Sequence, residues 1–233
     1  IGGLGSNYYF AKDFFQELEV DTVFLNPYKE MIQDKKILQN WFNNAIKDDE
    51  EVYLIGHSLG GDLARFLSSR SPKVTKLILL DGGYLNLDEI MPLENELEAA
   101  KAYFDQHTFT NLEEVIANEK SQSYYWSENL EEALKNSYRY NSALEKFELD
   151  LDFEKVSYLL ELRRVIRSYQ RNLKSKNVLF IAPAYDKEPE WRKISLDKLP
   201  QYFDVELLKN CGHEMYMEHP LEIAHTVNSW INK

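Results

Sequence analysis

Residues 52–61 read Val-Tyr-Leu-Ile-Gly-His-Ser-Leu-Gly-Gly. This stretch joins a short apolar run to the pattern G-x-S-x-G, in which Ser58 stands between Gly56 and Gly60. A serine at the tip of a tight strand-to-helix turn needs small residues two positions away on either side, because the neighbouring backbone leaves no room for Cβ atoms. The pattern therefore predicts a sharp turn that presents Ser58 as a nucleophile.

The sequence on both sides of the turn supports this prediction. Residues 52–55 have the length and composition of a buried parallel strand. After the turn, apolar residues recur at helical spacing at Leu59, Leu63, Ala64 and Leu67. The pentapeptide alone would occur by chance in roughly two of a hundred chains of this composition. The order strand, turn, helix is what makes it informative.

Strands and helices alternate through most of the chain, which is typical of a parallel sheet covered by helices on both faces. Hydrophobic periodicity predicts helices over 6–18, 31–46 and 59–70, and a closing helix that begins at Pro220. It predicts strands at 22–25, 52–55, 77–80, 178–182 and 205–208. The sequence therefore favours an α/β fold.

Residues 92–176 interrupt this alternation. Helical periodicities follow one another at 94–105, 111–119 and 128–140, and a further helix is predicted from Asp152, a plausible N-cap. We predict a helical cap over 92–176, inserted into a core made of 1–91 and 177–233. Four arginines at helical spacing, Arg163, Arg164, Arg167 and Arg171, are interpreted as a solvated charged face rather than an anion site.

Composition excludes several classes of function. The net charge of −12 argues against a nucleic-acid partner, since phosphate binding needs clustered Lys and Arg. Cys211 is the only cysteine, so no intrachain disulfide can form, which fits a reducing compartment and predicts a cytoplasmic location. No apolar stretch approaches the ~18 residues that a transmembrane helix needs. Oligomeric state stays open.

A serine nucleophile needs a histidine to accept its proton and usually a carboxylate to orient that histidine. Asp186 follows the predicted strand at 178–182, and His213 follows the last predicted strand. Both lie beyond carboxyl ends of strands, at the edge where Ser58 emerges. Asp186 is our first choice for the acid, with Asp81 next, and Glu188 and Glu190 remain open.

These motifs resemble the α/β-hydrolase superfamily, in which the catalytic residues follow in the order Ser, Asp, His. The resemblance rests on the elbow, on Leu-Ile-Leu-Leu-Asp at 77–81, on the acid loop, on Cys-Gly-His at 211–213 followed by Glu-His-Pro, and on the cap position. It implies an oxyanion turn at residues 1–5, with the backbone N–H groups of Leu4 and Leu59 as donors. Many relatives begin this turn with His-Gly, where this chain has Gly-Gly. It also implies that the first strands of the fold are missing from this chain.

The resemblance implies a serine hydrolase that cleaves a small carboxylic ester or thioester through an acyl-enzyme. No metal and no organic cofactor is expected. An aminopeptidase-like amide hydrolase and a ligand-binding protein without catalytic activity are the alternatives. Aromatic residues of the cap, among them Tyr103, Phe104 and Phe109, either line an acyl pocket or only pack helices together.

Overall fold

The core begins with two helices and a β–α–β unit. The computed structural model describes residues 1–168, 173, 177–187 and 189–233. In chain order the first elements are α1 (Tyr8–Gln16), a 3-10 turn (Pro27–Lys29), α2 (Lys35–Ala45), β1 (Val52–His57), α3 (Leu59–Arg70) and β2 (Val74–Leu80). The predicted strand, turn and helix around residue 58 are confirmed.

The next elements lie between β2 and β6, where the sequence predicts the cap. They are α4 (Leu87–Ile90), α5 (Leu93–Gln106), β3 (Thr108–Phe109), α6 (Leu112–Gln122), α7 (Glu128–Lys135), β4 (Tyr138–Asn141), β5 (Lys146–Leu149) and α8 (Phe153–Arg167). Of these, α8 belongs to the core, because its buried residues cluster with those of α2, α3 and the sheet. Asp152 caps α8, since its side chain accepts a hydrogen bond from the Glu154 N–H at 2.9 Å. The N-cap prediction is confirmed.

The last part of the chain completes the central sheet. The remaining elements are β6 (Asn177–Pro183), α9 (Glu190–Asp197), β7 (Phe203–Leu208), α10 (Met215–Glu218) and α11 (Pro220–Ile231). Pro220 stands at the first turn of α11, where its missing N–H costs no hydrogen bond. None of the helices in the described part of the chain has the length and apolar character needed to cross a bilayer.

Four strands form the central sheet in the order β1, β2, β6, β7, and every pair is parallel. One row of apolar residues in register runs across all four strands of the sheet. Leu54 lies opposite Leu77, Leu77 opposite Val178, and Val178 opposite Phe203. Buried side chains of α2, α3 and α8 cover one face of the sheet, and those of α1 and α11 cover the other. Parallel strands bring their carboxyl ends to one edge, which positions the loops after β1, β2, β6 and β7 together.

Two predicted elements differ in the structure, and one sheet was not predicted. Residues 22–25 form no strand within the described chain. They line a cavity of about 400 Å³ together with β1, and Val23 is 79% exposed. The helix predicted over 128–140 ends at Lys135. The cap also contains a three-stranded antiparallel sheet in the order β3, β5, β4, whose two- to four-residue strands mix polar and aromatic residues and so carry no clear apolar alternation.

The arginines of α8 that the structure describes are half-buried and hydrogen-bonded or ion-paired, so the predicted solvated face is wrong for them. Arg164 lies 2.5 Å from Glu96 and 2.6 Å from Asp88, and Arg163 also contacts Glu96. Arg163 lies 3.8 Å from Asp62 of α3. These contacts tie α8 to α5 and to the helix that follows Ser58. Arg171 lies outside the described residues.

Candidate functional site

Ser58 occupies the junction between β1 and α3 in a strained backbone conformation. Its φ of 53° and ψ of −124° lie in a region that residues with a side chain rarely adopt, and such strain concentrates at functional sites. The turn is tight enough that a Cβ on Gly60 would lie 2.3 Å from the carbonyl oxygen of Ile1. Position 60 therefore has no room for a side chain, as the G-x-S-x-G pattern predicts.

His213 and Asp81 meet at the carboxyl edge of the sheet. The Nδ1–H group of His213 donates to Oδ2 of Asp81 at 2.8 Å. Asp81 is the first residue after β2, and His213 lies between β7 and α10. The chain just after Asp81 also runs close to Ser58, because a Cβ at Gly82 would lie 2.6 Å from the backbone nitrogen of Ser58. The Asp81–His213 pair and the Ser58 turn therefore lie at the same edge of the sheet.

The partner of His213 in the structure is Asp81, which the sequence analysis ranked second, and not Asp186. Asp186 is exposed in the loop after β6, and Glu190 is exposed at the start of α9. Glu188 lies outside the described residues. The physical reason is local: Asp81 stands at the end of β2, 7% exposed, at a positive φ of 40°. From this position its carboxylate reaches His213 directly.

Two further side chains hold the other carboxylate oxygen of Asp81, and sequence reasoning missed both. The Tyr84 hydroxyl donates to Oδ1 at 3.1 Å, and Nη2 of Arg192 donates to the same atom at 3.2 Å. Arg192 also donates to the carbonyl oxygen of Pro183 at 2.9 Å. The position of Tyr84, three residues after Asp81, is a weak signal in the sequence. Nothing in the sequence links Arg192 to this site.

The Asp81–His213 pair favours its charged forms. Burial opposes ionisation of Asp81, but the hydrogen bond and charge of His213, with Arg192, hold its pKa below the ordinary 3.8. Burial likewise opposes a charged imidazole at His213, but the hydrogen bond and charge of Asp81 raise its pKa above the ordinary 6.5. Asp81 therefore stays ionised at neutral pH, and His213 becomes a stronger base than a free imidazole.

His57 supports the loop that carries His213. Its Nε2 atom lies 2.9 Å from the His213 carbonyl oxygen, and the two rings are 4.7 Å apart. A carbonyl only accepts, so Nε2 carries the proton. Burial and the charge of His213 lower the pKa of His57 to about 3, so the ring is neutral. His57 therefore contacts the backbone of the loop that carries His213 and does not share the Asp81 carboxylate.

The backbone N–H groups of Leu4 and Leu59 are among those near Ser58 that make no hydrogen bond to a residue that the structure describes. Leu59 opens α3, where the first N–H groups have no partner within the helix. Residues 1–5 approach the nucleophile, since a Cβ on Gly3 would lie 3.1 Å from Cβ of Ser58. These are the two donors that the sequence analysis assigns to an oxyanion hole.

The Ser58 hydroxyl makes no hydrogen bond to His213 in this structure. The side chain is half-buried, and the imidazole is held by Asp81 on one side and is partly exposed on the other. Hydrogen bonds between nucleophile and base are often long before substrate binds and shorten in the reacting complex. The structure thus contains the hydrogen bond between Asp81 and His213 but not one between Ser58 and His213.

A cavity of about 300 Å³ lies between the cap and residues 3–7. Its aromatic wall contains Tyr103, Phe104, Phe109 and Tyr138, which include three of the cap aromatics singled out from the sequence. Glu119 and Glu214 also line it. Burial raises the pKa of Tyr103, and the charges of these two carboxylates raise it further. The cavity therefore has an aromatic wall and also contains charged groups, among them Glu119, Glu214 and Lys29.

Three side chains that could ligate a metal come together within the described part of the chain. Ligand atoms of His57, His213 and Glu214 lie within 4.8 Å of one another. Nδ1 of His213 already donates to Asp81, and Nε2 of His57 already contacts the His213 carbonyl. This cluster therefore overlaps the Asp81–His213 pair and does not form a separate site.

Comparisons with known proteins agree with this architecture. The family model described as alpha/beta hydrolase fold matches residues 30–220. A comparison with curated proteins gave no significant match.

Several solved structures are similar over nearly the whole chain. E-2-(acetamidomethylene)succinate hydrolase is 12% identical with a TM-score of 0.71, covering 100% of this chain and 90% of that chain. An esterase of M. tuberculosis is 12% identical with a TM-score of 0.69, covering 100% and 84%. The thioesterase domain from the curacin biosynthetic pathway is 14% identical with a TM-score of 0.64, covering 97% and 88%. At these identities the likeness concerns the fold alone. Because the family model spans most of the sequence, this chain belongs to the alpha/beta hydrolase fold family.

Proposed function

We propose that the chain is a serine hydrolase that cleaves a small carboxylic ester or thioester, with Ser58, His213 and Asp81 as its catalytic residues. The observation that carries the proposal is the hydrogen bond between His213 and Asp81 beside a serine in a strained elbow. Asp81 replaces Asp186 in the role predicted for the acid. The esterase and thioesterase among the similar structures are consistent with this reaction class.

In the first step, Oγ of Ser58 attacks the carbonyl carbon of the substrate and His213 accepts the serine proton. The bond from that carbon to the alcohol oxygen or thiol sulfur breaks, and His213 returns the proton to the leaving group. In the second step, water attacks the acyl-enzyme, His213 takes a proton from the water, and Ser58 leaves with that proton. The carboxylic acid is released and the enzyme is restored.

The N–H groups of Leu4 and Leu59 would stabilise the oxyanion that forms in each step. Removing one such donor typically costs about 3 to 4 kcal/mol of transition-state stabilisation. Asp81 would keep the proton of His213 on Nδ1, which leaves Nε2 free to accept from Ser58. Residues of the cap cavity, with the aromatic wall of Tyr103 and Phe109, would hold the acyl or alcohol portion.

A fluorophosphonate probe tests this proposal directly. We expect covalent labelling of the native chain at Ser58, located by peptide mass spectrometry, and no labelling of Ser58→Ala. Hydrolysis of short p-nitrophenyl esters should fall to background in the same variant. A folded native chain that is neither labelled nor active would contradict the proposal and favour a ligand-binding protein without catalytic activity.

An amide substrate with a free amine is the second candidate. Glu119 and Glu214 at the wall of the aromatic cavity are the observation that favours it, because carboxylates and aromatic faces both attract an ammonium group. A panel of aminoacyl amides measured beside esters of rising acyl length separates the two reactions. Higher kcat/KM for the amides would favour this alternative.

A further inference from the structure

We propose that Arg192 is a positioning residue for the hydrolysis proposed above. It holds the Asp81 carboxylate in the orientation that His213 needs and places a fixed positive charge behind the Asp81–His213 pair. The inference rests on the proposed function for its effect on rate, whereas its effect on His213 can be measured without turnover.

Contacts fix Arg192 in place. The residue is 3% exposed, and Nη2 donates both to Oδ1 of Asp81 at 3.2 Å and to the carbonyl oxygen of Pro183 at 2.9 Å. Its guanidinium carbon lies 4.7 Å from the centre of the Tyr185 ring. Pro183 is the last residue of β6, so Arg192 fastens the carboxylate at the end of β2 to the end of the neighbouring strand.

Asp81 needs such a partner. Its Oδ2 atom accepts from His213, and the buried Oδ1 atom would lose much of its solvation without donors of its own. The Tyr84 hydroxyl supplies one neutral donor, and Arg192 supplies a charged one. A charge-assisted hydrogen bond from a planar guanidinium fixes both the position and the plane of a carboxylate more firmly than a neutral donor does. Arg192 thus limits rotation of the group that orients His213.

Arg192 also acts on His213 through charge. The charged groups that influence His213 are Asp81 at the end of β2, Glu214 next to it in the chain, and Arg192 of α9, while His57 at the end of β1 is neutral. The two carboxylates favour the imidazolium, and Arg192 opposes it. Removing the positive charge while the Asp81 hydrogen bond persists should therefore make His213 easier to protonate.

The experiment compares the native chain with Arg192→Met and Arg192→Lys. The pKa of His213 is measured by NMR in histidine-labelled protein, with His213→Gln to assign the signal, and kcat/KM is measured against pH. We expect Arg192→Met to raise the pKa of His213 by roughly 0.5 to 1 unit. We also expect kcat/KM at its plateau to fall about 10- to 100-fold, because Asp81 is less well held.

Arg192→Lys separates charge from geometry. Lysine keeps the positive charge but cannot reproduce the planar fork, so His213 should titrate near its native value while the rate recovers only in part. Tyr84→Phe removes a neutral donor from the same carboxylate oxygen and serves as the matched control. It should move the pKa of His213 less than Arg192→Met does.

Several results would overturn the inference. An unchanged His213 titration in Arg192→Met would remove the role of the charge, and a native rate in either Arg192 variant would remove the positioning role. If Arg192→Met does not fold, as judged by circular dichroism, the rate of Arg192→Lys decides the positioning role. If the native chain is not labelled at Ser58, the proposed function fails, and the titration still decides whether Arg192 acts on His213.

Discussion

Nδ1 of His213 lies 2.8 Å from Oδ2 of Asp81, although β6 separates the two strands that carry these residues to the edge of the sheet. Asp81 directly follows the strand β2, and His213 follows the edge strand β7. The loop after β7 must therefore reach back over the end of β6 to meet the carboxylate. The end of β6 contributes the Pro183 carbonyl, which binds Arg192, instead of an acid.

Asp81→Asn and Asp186→Asn form a matched pair that tests the assignment of the acid. Asparagine at 81 keeps the shape of the side chain but can leave His213 in the wrong tautomer, and the corresponding change in a serine protease costs about 10⁴-fold in kcat. We expect a loss of that order for Asp81→Asn and nearly native kcat for Asp186→Asn. Steady-state kinetics with a p-nitrophenyl ester check this, and the reverse ranking would restore Asp186 as the acid.

The pH dependence of kcat/KM should report His213. The base works only when neutral, and Asp81 raises its pKa, so kcat/KM should rise with pH through a midpoint above 6.5. In Asp81→Asn the residual activity should show this midpoint at lower pH, because the carboxylate that favours the imidazolium is gone. His57 does not interfere, since its pKa lies at about 3. A native midpoint below 6.5 would be inconsistent with the Asp81–His213 pair as the base.

The oxyanion turn can be tested with two neighbouring substitutions. A Cβ on Gly3 would lie 2.8 Å from Nδ1 of His57 and 3.1 Å from Cβ of Ser58, so Gly3→Ala must displace the turn. Displacements of about 1 Å can cost about 10²-fold in rate, and we expect a loss of kcat of that order. Leu4→Ala keeps the backbone N–H, and its kcat should stay close to native. Equal losses in both variants would argue that the Leu4 side chain, not its N–H, matters.

The ion pairs that hold α5 against α8 should contribute strongly to stability. Glu96 is buried between Arg163 and Arg164. The variant Glu96→Gln removes its charge and leaves these two arginines without their shared partner. Breaking a buried pair in this way typically costs about 3 to 5 kcal/mol in the free energy of unfolding. Glu98→Gln changes an exposed residue on the same helix and is the control. Urea denaturation of both variants checks the difference, and similar unfolding free energies would refute it.

Much of the core could be predicted from the sequence, because its signals are local. Residues 52–70 form strand, turn and helix as the glycine pattern and periodicity predict. The strands around Leu77, Val178 and Val205 are confirmed for the same reason, since short apolar runs between helices are typical of parallel sheets.

The acid and the cap sheet could not be predicted in the same way. Asp81 and Asp186 both follow strands, and only the path of the loop from β7 decides which one His213 meets. The cap sheet depends on β3 pairing with the distant β5, with Phe109 opposite Phe147. β4 pairs with β5 locally, with Tyr140 opposite Phe147, but these short strands carry no clear apolar alternation. Arg192 lies in α9, 111 residues after its partner Asp81 in the sequence. Hydrophobic periodicity does not predict a contact of this kind.

The proposed nucleophile and acid both belong to the unit β1–α3–β2, which is complete before the chain enters the insertion. Two of the three proposed catalytic residues therefore come from one continuous segment, and only His213 comes from beyond β6. Exchanging the segment between β2 and α8, which lines much of the cap cavity, offers a way to change substrate preference while Ser58 and Asp81 keep their framework. If Asp81 is the acid, the loop between β6 and α9 does not need to supply one. That loop can then be redesigned as well, provided that Arg192 is kept.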